Sequence, residues 1–111
     1  MRIIKFRAWD KNLNSMISPL TLTEWKNTDY GNGYIERYLH LQQFTGLLDK
    51  NGKEIYSGDL IRIENRIYII EWDELRGRWQ AKTDCFFKSA HEVARKGEVI
   101  GDIMGNPELL K

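Results

Sequence analysis

The stretch QFTGLLDKNGKEIYSGDLIRI, residues 43–63, decides how the chain is organised. Its centre, Asp49-Lys50-Asn51-Gly52, is a strong turn signal, because Asn-Gly readily supplies two residues with positive φ. Gly46 and Gly58 lie on either side and give the backbone freedom at both ends of the run. We therefore predict a structured corner, at which one strand leaves a sheet and the next strand begins.

A phosphate-binding loop is the alternative reading of this glycine-containing run. Such a loop needs closely spaced glycines that lead directly into a helix. Here the residues after Gly52 lead into Ile55-Tyr56 and then into Gly58-Asp59. The spacing therefore favours a corner, and turns account for Gly46, Gly52, Gly58 and Asp59.

Strand patterns precede the corner. Apolar residues alternate with charged ones in the first segment, Ile4, Phe6 and Ala8 against Lys5 and Arg7, which is typical of a half-buried strand with one apolar and one charged face. Further strands are predicted at residues 15–17 and 38–45, with a loop at 27–36 between them.

After the corner, alternating apolar residues predict a hairpin of residues 60–64 and 67–72 that turns at Asn65-Arg66. Residues 78–82 extend it to a meander of three strands. Ser89 is a good N-cap for a short helix that ends at Gly97. A last strand over 98–104 and a helical turn near Pro107 complete the chain.

These patterns predict one domain over residues 1–111, which is long enough to bury a single core. The fold class is mainly β, a β-dominated α+β domain. We expect a strongly bent antiparallel sheet or a small barrel with one or two short helices.

Composition and charge predict a soluble protein of the cytoplasm of a bacterial host cell. The 17 basic and 16 acidic residues nearly balance, so nothing attracts the whole molecule to nucleic acid or to acidic membranes. A single cysteine cannot form an internal disulfide, which suits a reducing compartment. No apolar run approaches the roughly 18 residues of a spanning helix, so we expect no membrane association.

The residues offer little for catalysis or metal binding. Cys85 stands between Asp84 and Phe86, surroundings that do not favour a reactive thiolate, so we predict a structural thiol that is at least half-buried. His40 and His91 lack neighbours at the spacing of a zinc site. Paired carboxylates such as Asp73-Glu74 fall in a polar turn and are predicted to be solvated. We predict no enzymatic activity and no cofactor.

Nucleic-acid binding has local support in the meander, where basic residues interleave with aromatic ones. Alternation places Arg78, Gln80 and Lys82 on one side of a strand, where they could follow a phosphate backbone while an aromatic ring stacks on a base. Neighbouring acidic residues offset this charge. The candidate nucleic-acid site comprises Arg62, Arg66, Arg78, Lys82 and Trp79.

Protein binding is the competing hypothesis, and it ranks first because the charge is balanced. Four tryptophans are more than one core of this size needs, and aromatic residues are enriched at interface cores. Two of the four are expected to be exposed. The candidate interface comprises Trp25, Tyr30 and Tyr34, and the expected partner is a second copy of the chain or a host or phage protein.

Three blocks of sequence resemble the YopX family of small proteins encoded by phages and prophages. They are IKFRAWDK at 4–11, QFTGLLDKNGKEIYSGDLI at 43–61 and VIGDIMGNPELL at 99–110, in the family's order and from end to end of the chain. The resemblance implies a compact, mainly β domain made inside a bacterial host. It brings no catalytic motif, which agrees with a non-enzymatic accessory protein that acts by binding.

Overall fold

The computed structural model describes residues 3–21, 24 and 33–110. Strands dominate it, which confirms the mainly β prediction. The strands are β1 (Lys5–Asp10), β2 (Ser15–Thr21), β3 (Leu39–Leu48), β4 (Glu54–Tyr56), β5 (Asp59–Ile63), β6 (Arg66–Asp73), β7 (Arg78–Lys82), β8 (Phe87–Ser89) and β9 (Glu98–Asp102). The helices are α1 (Tyr34–Tyr38), α2 (Ala90–Lys96) and a 3-10 helix (Pro107–Leu110).

The strands form two antiparallel sheets, with the orders β2-β1-β3-β4 and β8-β7-β6-β5-β9. The described strands do not close into a barrel. β9 is an edge strand of the second sheet, and residues of the corner lie along its open side. The Val99 N–H donates to the Asp49 carboxylate at 2.8 Å, and the Lys50 N–H donates to the Gly97 carbonyl at 3.0 Å.

Residues 43–63 form the predicted corner, because they carry the chain from β3 through β4 into β5. Gly46, Gly52 and Gly58 have φ of 86°, 82° and 89°. Asn51 is not in the positive-φ region, contrary to the prediction for Asn-Gly. The reason is that Asp49 Oδ1 accepts hydrogen bonds from the N–H groups of Asn51 and Lys53, both at 2.9 Å, which fixes a different turn.

The meander is confirmed as β5, β6 and β7. Its first turn comes one residue earlier than predicted, at Glu64-Asn65, since Ile63 pairs with Arg66. Glu64 has φ of 55° in this turn. The pairing of β6 with β7 places Trp72 directly opposite Trp79.

The apolar core lies between the second sheet and α2, and β4 of the first sheet adds Ile55 to it. Ser89 caps this helix as predicted, and its Oγ accepts a hydrogen bond from the His91 N–H at 3.3 Å. The face of the sheet toward α2 is called the inner face, and the opposite face is the outer face. The core residues are Ile55, Ile61, Tyr68, Ile70, Ala81, Ala90, Val93 and Ala94.

The predicted loop at 27–36 falls largely outside the described residues. Its last residues differ from the prediction, because α1 begins at Tyr34. No helix in the described ranges is long and apolar enough to cross a membrane.

Candidate functional site

The predicted protein interface is only partly visible. Trp25 and Tyr30 lie outside the described residues. Tyr34 is half-buried, its hydroxyl donates to Asp10 Oδ2 at 2.7 Å, and its ring lies 4.9 Å from that of Tyr38. The hydrogen bond to Asp10 raises the pKa of Tyr34. Tyr34 therefore makes internal contacts, and its part in an interface stays a prediction.

The predicted nucleic-acid residues do not share one surface. Residues paired directly across strands point to the same face, and so do residues two apart. The pairs Arg62–Ile67, Lys82–Ile69 and Arg78–Asp73 place Arg62, Arg78 and Lys82 together on the outer face. By the same rule, Arg66 and Trp79 point to the inner side.

Acidic neighbours offset the basic residues of the outer face. Arg62 Nη2 lies 2.9 Å from Glu98 Oε1, and Lys82 Nζ lies 3.5 Å from Glu71 Oε1. Both pairs are partly solvated, so each contributes little to stability. A phosphate backbone would meet a face of nearly balanced charge.

Arg66 and Trp79 are engaged with aromatic rings. The Arg66 guanidinium lies 4.8 Å from the centre of the Phe86 ring, with Lys88 Nζ 5.8 Å from the same ring. Trp79 packs against the apolar core and meets Trp72 edge to face at 5.1 Å. Trp79 is therefore not a free stacking platform.

An apolar depression lies where the two sheets meet, with a volume of about 460 Å³. We call it the seam groove, and its residues are Phe6, Leu41, Gln43, Ser57, Trp72 and Trp79. Phe6 pairs with Gln43 across β1 and β3, while Ser57 belongs to the corner. Trp72 and Leu41 are each 45% exposed. The groove thus presents accessible apolar surface on ordered strands.

The sequence contained one signal for this groove. The predicted polar turn after Asp73 makes residues 72 and 79 neighbours across a hairpin. The contributions of Phe6 and Leu41 depend on how the two sheets meet, which the periodicity of single strands does not encode.

A buried polar cluster, formed by Arg7, Gln42, Tyr56 and Asp59, joins the two sheets. Arg7 Nε donates to Gln42 Oε1 at 2.7 Å, Arg7 Nη2 donates to Asp59 Oδ1, and the guanidinium lies 4.7 Å from the centre of the Tyr56 ring. The side chains of Arg7 and Asp59 are 12% and 1% exposed. Arg7, on the charged face of β1, is therefore nearly buried between the two sheets.

Asp59 has two roles in this cluster. Its Oδ2 accepts the Tyr56 N–H at 2.7 Å across the turn, as the sequence suggested, while its Oδ1 accepts from Arg7. Burial raises the pKa of Asp59 above its usual value, even though Arg7 and the Tyr56 N–H both favour the ionised form.

A second depression, the sheet groove, crosses the face of the first sheet that carries Arg7. Its volume is about 390 Å³, and its residues are Arg7, Met16, Ile17, Ser18, Pro19, Lys53, Glu54 and Tyr56. Glu54 accepts hydrogen bonds from Lys5 Nζ at 2.5 Å and from the Tyr56 hydroxyl at 2.9 Å. The Lys5 contact holds the pKa of Glu54 below its usual value, whereas burial and Glu54 raise that of Tyr56.

The other buried carboxylates stabilise turns. Asp10, Asp49, Asp73 and Asp102 each accept backbone N–H groups from residues that follow them. Asp73 is 7% exposed, so the prediction that it is solvated is wrong. Cys85 is exposed, contrary to the predicted structural thiol. In the described part of the chain, no group of three or more His, Cys, Asp or Glu residues could hold a metal ion.

Comparison with known proteins identifies a family and a similar solved structure. No curated protein sequence matches. The crystal structure of protein EF1440 from Enterococcus faecalis is similar at 28% identity and a TM-score of 0.65, and the match covers 100% of both chains. A sequence model of the family described as YopX protein matches residues 5–111. The chain therefore belongs to the YopX family.

Proposed function

We propose that the protein is a non-enzymatic phage or prophage accessory protein that acts inside the bacterial host cell by binding a protein through the seam groove. The observation that carries the proposal is Trp72, which leaves 45% of its surface exposed although it packs on Trp79. Tryptophan is enriched among the residues that dominate protein-binding energy.

The composition of the seam groove fits a protein contact. Phe6, Leu41 and Trp72 supply apolar surface, while Gln43 and Ser57 supply polar groups. Interfaces combine an apolar centre with a polar rim in this way. The two tryptophans are directly paired across β6 and β7, so little conformational freedom is lost on binding.

A further apolar residue lies in the same hairpin. Leu75 is in the turn after β6 and is 92% exposed. Leu75 would enlarge the apolar contact beyond the groove itself. The occupant is a second copy of the chain or an apolar segment of a host or phage protein, and the following experiments separate these two cases.

Sedimentation equilibrium tests self-association. The wild type is compared with Trp72→Lys and with the matched control Leu13→Lys, which changes a 67% exposed leucine outside the groove. If the wild type and Leu13→Lys are dimers and Trp72→Lys is a monomer, the occupant of the groove is a second copy of the chain. Urea unfolding checks that both variants are folded, and Leu41→Lys serves as a second variant if Trp72→Lys is not.

Crosslinking in the host cell tests another protein as the occupant. A photoreactive benzoyl-phenylalanine is placed at position 72 and, as control, at position 13. A discrete adduct formed from position 72 but not from 13 supports the proposal. A monomeric protein that gives the same adducts from both positions contradicts it.

Nucleic-acid binding is the second candidate function, and the observation that favours it is the pair of cationic side chains over the Phe86 ring. Arg66 and Lys88 both lie over this ring, and neither forms an ion pair with another described residue. We test it by titrating tryptophan fluorescence with short DNA and RNA at two salt concentrations. A saturable change that weakens with salt supports this candidate. No change at either salt concentration counts against it.

A triple variant, Arg62→Ala with Arg78→Ala and Lys82→Ala, then tests the predicted outer face. If these residues contact phosphates, affinity falls similarly for all sequences and the salt slope decreases by about 3. Unchanged affinity excludes the outer face and leaves Arg66 and Lys88 as the residues to change next.

A further inference from the structure

The sheet groove has the size and lining of a small-molecule site. It runs between the edge strands β2 and β4, and Met16, Ile17 and Pro19 supply apolar walls. Its volume of about 390 Å³ lies in the range of ligand pockets, which combine apolar walls with a few convergent polar groups.

Arg7 is the polar group of this groove that three neighbouring side chains hold in place. Gln42 and Asp59 accept hydrogen bonds from its Nε and Nη2, and Tyr56 supports the plane of the guanidinium. No hydrogen bond among the described residues uses Arg7 Nη1. A guanidinium held in this way can bind a further oxygen ligand without losing side-chain freedom.

The acidic residues near Arg7 are already satisfied. Asp59 is almost wholly buried beneath the groove, and both oxygens of Glu54 accept hydrogen bonds, from Lys5 and Tyr56. Lys53, by contrast, is an exposed lining residue that forms no ion pair within the described part of the chain. The groove therefore offers one guanidinium nitrogen and one ammonium group to an anion.

We propose that the sheet groove binds a small organic carboxylate with a compact apolar body. The carboxylate contacts Arg7 Nη1 and Lys53, and the apolar body lies against Met16, Ile17 and Pro19. This site is separate from the seam groove, because the two depressions share no lining residue. It therefore stands or fails independently of the proposed protein contact.

The first test is an NMR titration of the ¹⁵N-labelled protein with phenylacetate and, as a neutral matched probe, phenylacetamide. We expect saturable shifts of the amide signals of residues 16–18 and 53–56 and of the Arg7 Nε–H. Because the amide lacks the charge, we expect it to bind about tenfold more weakly or less. Equal binding of the two probes, shifts centred on the seam groove, or no saturable shift with phenylacetate would overturn the proposal.

Matched variants locate the site without removing Arg7, whose loss would leave Asp59 buried and unpaired. Ser18→Trp fills the groove, whereas Ser15→Trp changes an exposed serine of the same strand outside it. We expect phenylacetate affinity to fall about tenfold or more in Ser18→Trp and to stay within twofold in Ser15→Trp. Equal losses, or none in Ser18→Trp, would contradict the location.

Lys53→Gln tests the anion contact, with Lys50→Gln as the matched control at an exposed lysine that does not line the groove. We expect the affinity for phenylacetate to fall about threefold to tenfold in Lys53→Gln, because one charged contact is lost. The affinity for phenylacetamide should not change. A loss for both probes would assign Lys53 a structural role and remove it from the proposed site.

Discussion

The two sheets of this protein share an apolar core, to which the first sheet contributes Ile55, but the first sheet is also held by buried polar contacts. The second sheet packs its inner face on α2 through apolar side chains such as Ile61, Ile70 and Val93. The first sheet is joined to β5 through Arg7, Gln42 and Asp59, which are polar and nearly buried. Burial of apolar surface is additive and tolerant of exchange, whereas a buried ion pair depends on both partners being present.

The difference shows how each sheet is specified. Apolar contact would allow the two sheets to slide relative to one another, because it has no direction. The Arg7–Asp59 pair, with Gln42 on a second nitrogen of the guanidinium, fixes one strand of the first sheet against the start of β5. We infer that this pair specifies how the sheets meet rather than supplying much net stability.

Removal of Arg7 should have the largest effect. Arg7→Met leaves Asp59 buried without its cation, and we expect the free energy of unfolding to fall by about 4 kcal/mol. Urea unfolding followed by tryptophan fluorescence measures it. The raised pKa of Asp59 allows protonation to relieve part of this loss at acidic pH.

The double variant Arg7→Met with Asp59→Leu is the control for this pair. It removes both charges together, so it should recover about 2 kcal/mol or more of the loss in Arg7→Met. Losses that simply add in the double variant would show that the two side chains do not depend on one another.

Truncation in the apolar core should have the next largest effect. Ile70 is fully buried on the inner face, and we expect Ile70→Ala to lower the free energy of unfolding by about 3 kcal/mol. Its neighbour Ile69 points to the outer face and is only partly buried, so Ile69→Ala is the matched control and should lose less. Equal losses would contradict the assignment of inner and outer faces.

Sequence patterns predicted the second sheet well because its strands obey simple periodicity. Residues 60–72 alternate, turn and pair as neighbours, so local rules suffice, and α2 has its own capping serine. The pairing of β9 with β5 is less local, although the strand itself was predicted. The position of the first turn differed by one residue, because Ile63 rather than Glu64 is the last residue to pair.

The candidate sites were harder to predict for a physical reason. Arg7 alternates with apolar residues as a solvated residue would, and its burial arises only because Asp59, 52 positions later, reaches it. Trp79 could be placed beside Trp72, but the seam groove also needs Phe6 and Leu41 from the other sheet. Contacts between distant elements leave no periodic trace in one sequence.

Asp49 links the two regions at the corner, and its removal should have a moderate effect. It accepts N–H groups from Asn51 and Lys53 in the turn and from Val99 in β9. We expect Asp49→Ala to lower the free energy of unfolding by about 2 kcal/mol, because buried donors lose a charged acceptor. Asp84→Ala, at an exposed aspartate, is the control and should change it by less than about 0.5 kcal/mol.

The pH dependence of unfolding should separate Asp49 from Asp59. Burial opposes ionisation of Asp49, but its backbone N–H partners hold the pKa below the usual 3.8. Its stabilisation is therefore complete above pH 3.8 and is lost as the pH falls through the lower folded pKa. The difference in unfolding free energy between the wild type and Asp49→Asn should shrink below pH 3.8.

Asp59 should give the opposite slope. Its folded pKa is raised above 3.8, so its contribution is largest below pH 3.8 and declines as the pH rises toward the folded pKa. The wild type should lose stability relative to Asp59→Asn across that window, measured by urea unfolding at closely spaced pH values. Parallel pH profiles for Asp49→Asn and Asp59→Asn would contradict the distinction between a turn carboxylate that accepts backbone N–H groups and a carboxylate that is paired with Arg7.

The smallest effect concerns backbone strain in the second sheet. Glu64 has φ of 55°, a conformation that side chains with a Cβ disfavour and glycine adopts freely. Glu64→Gly should therefore raise the free energy of unfolding by up to about 1 kcal/mol, although the more flexible unfolded chain offsets part of the gain. Glu74→Gly is the matched control, because Glu74 is exposed in the next hairpin turn without a positive φ, so it should be neutral or destabilising. If both variants changed stability alike, the turn at Glu64 would hold no strain, and the second sheet would owe its register to side-chain packing alone.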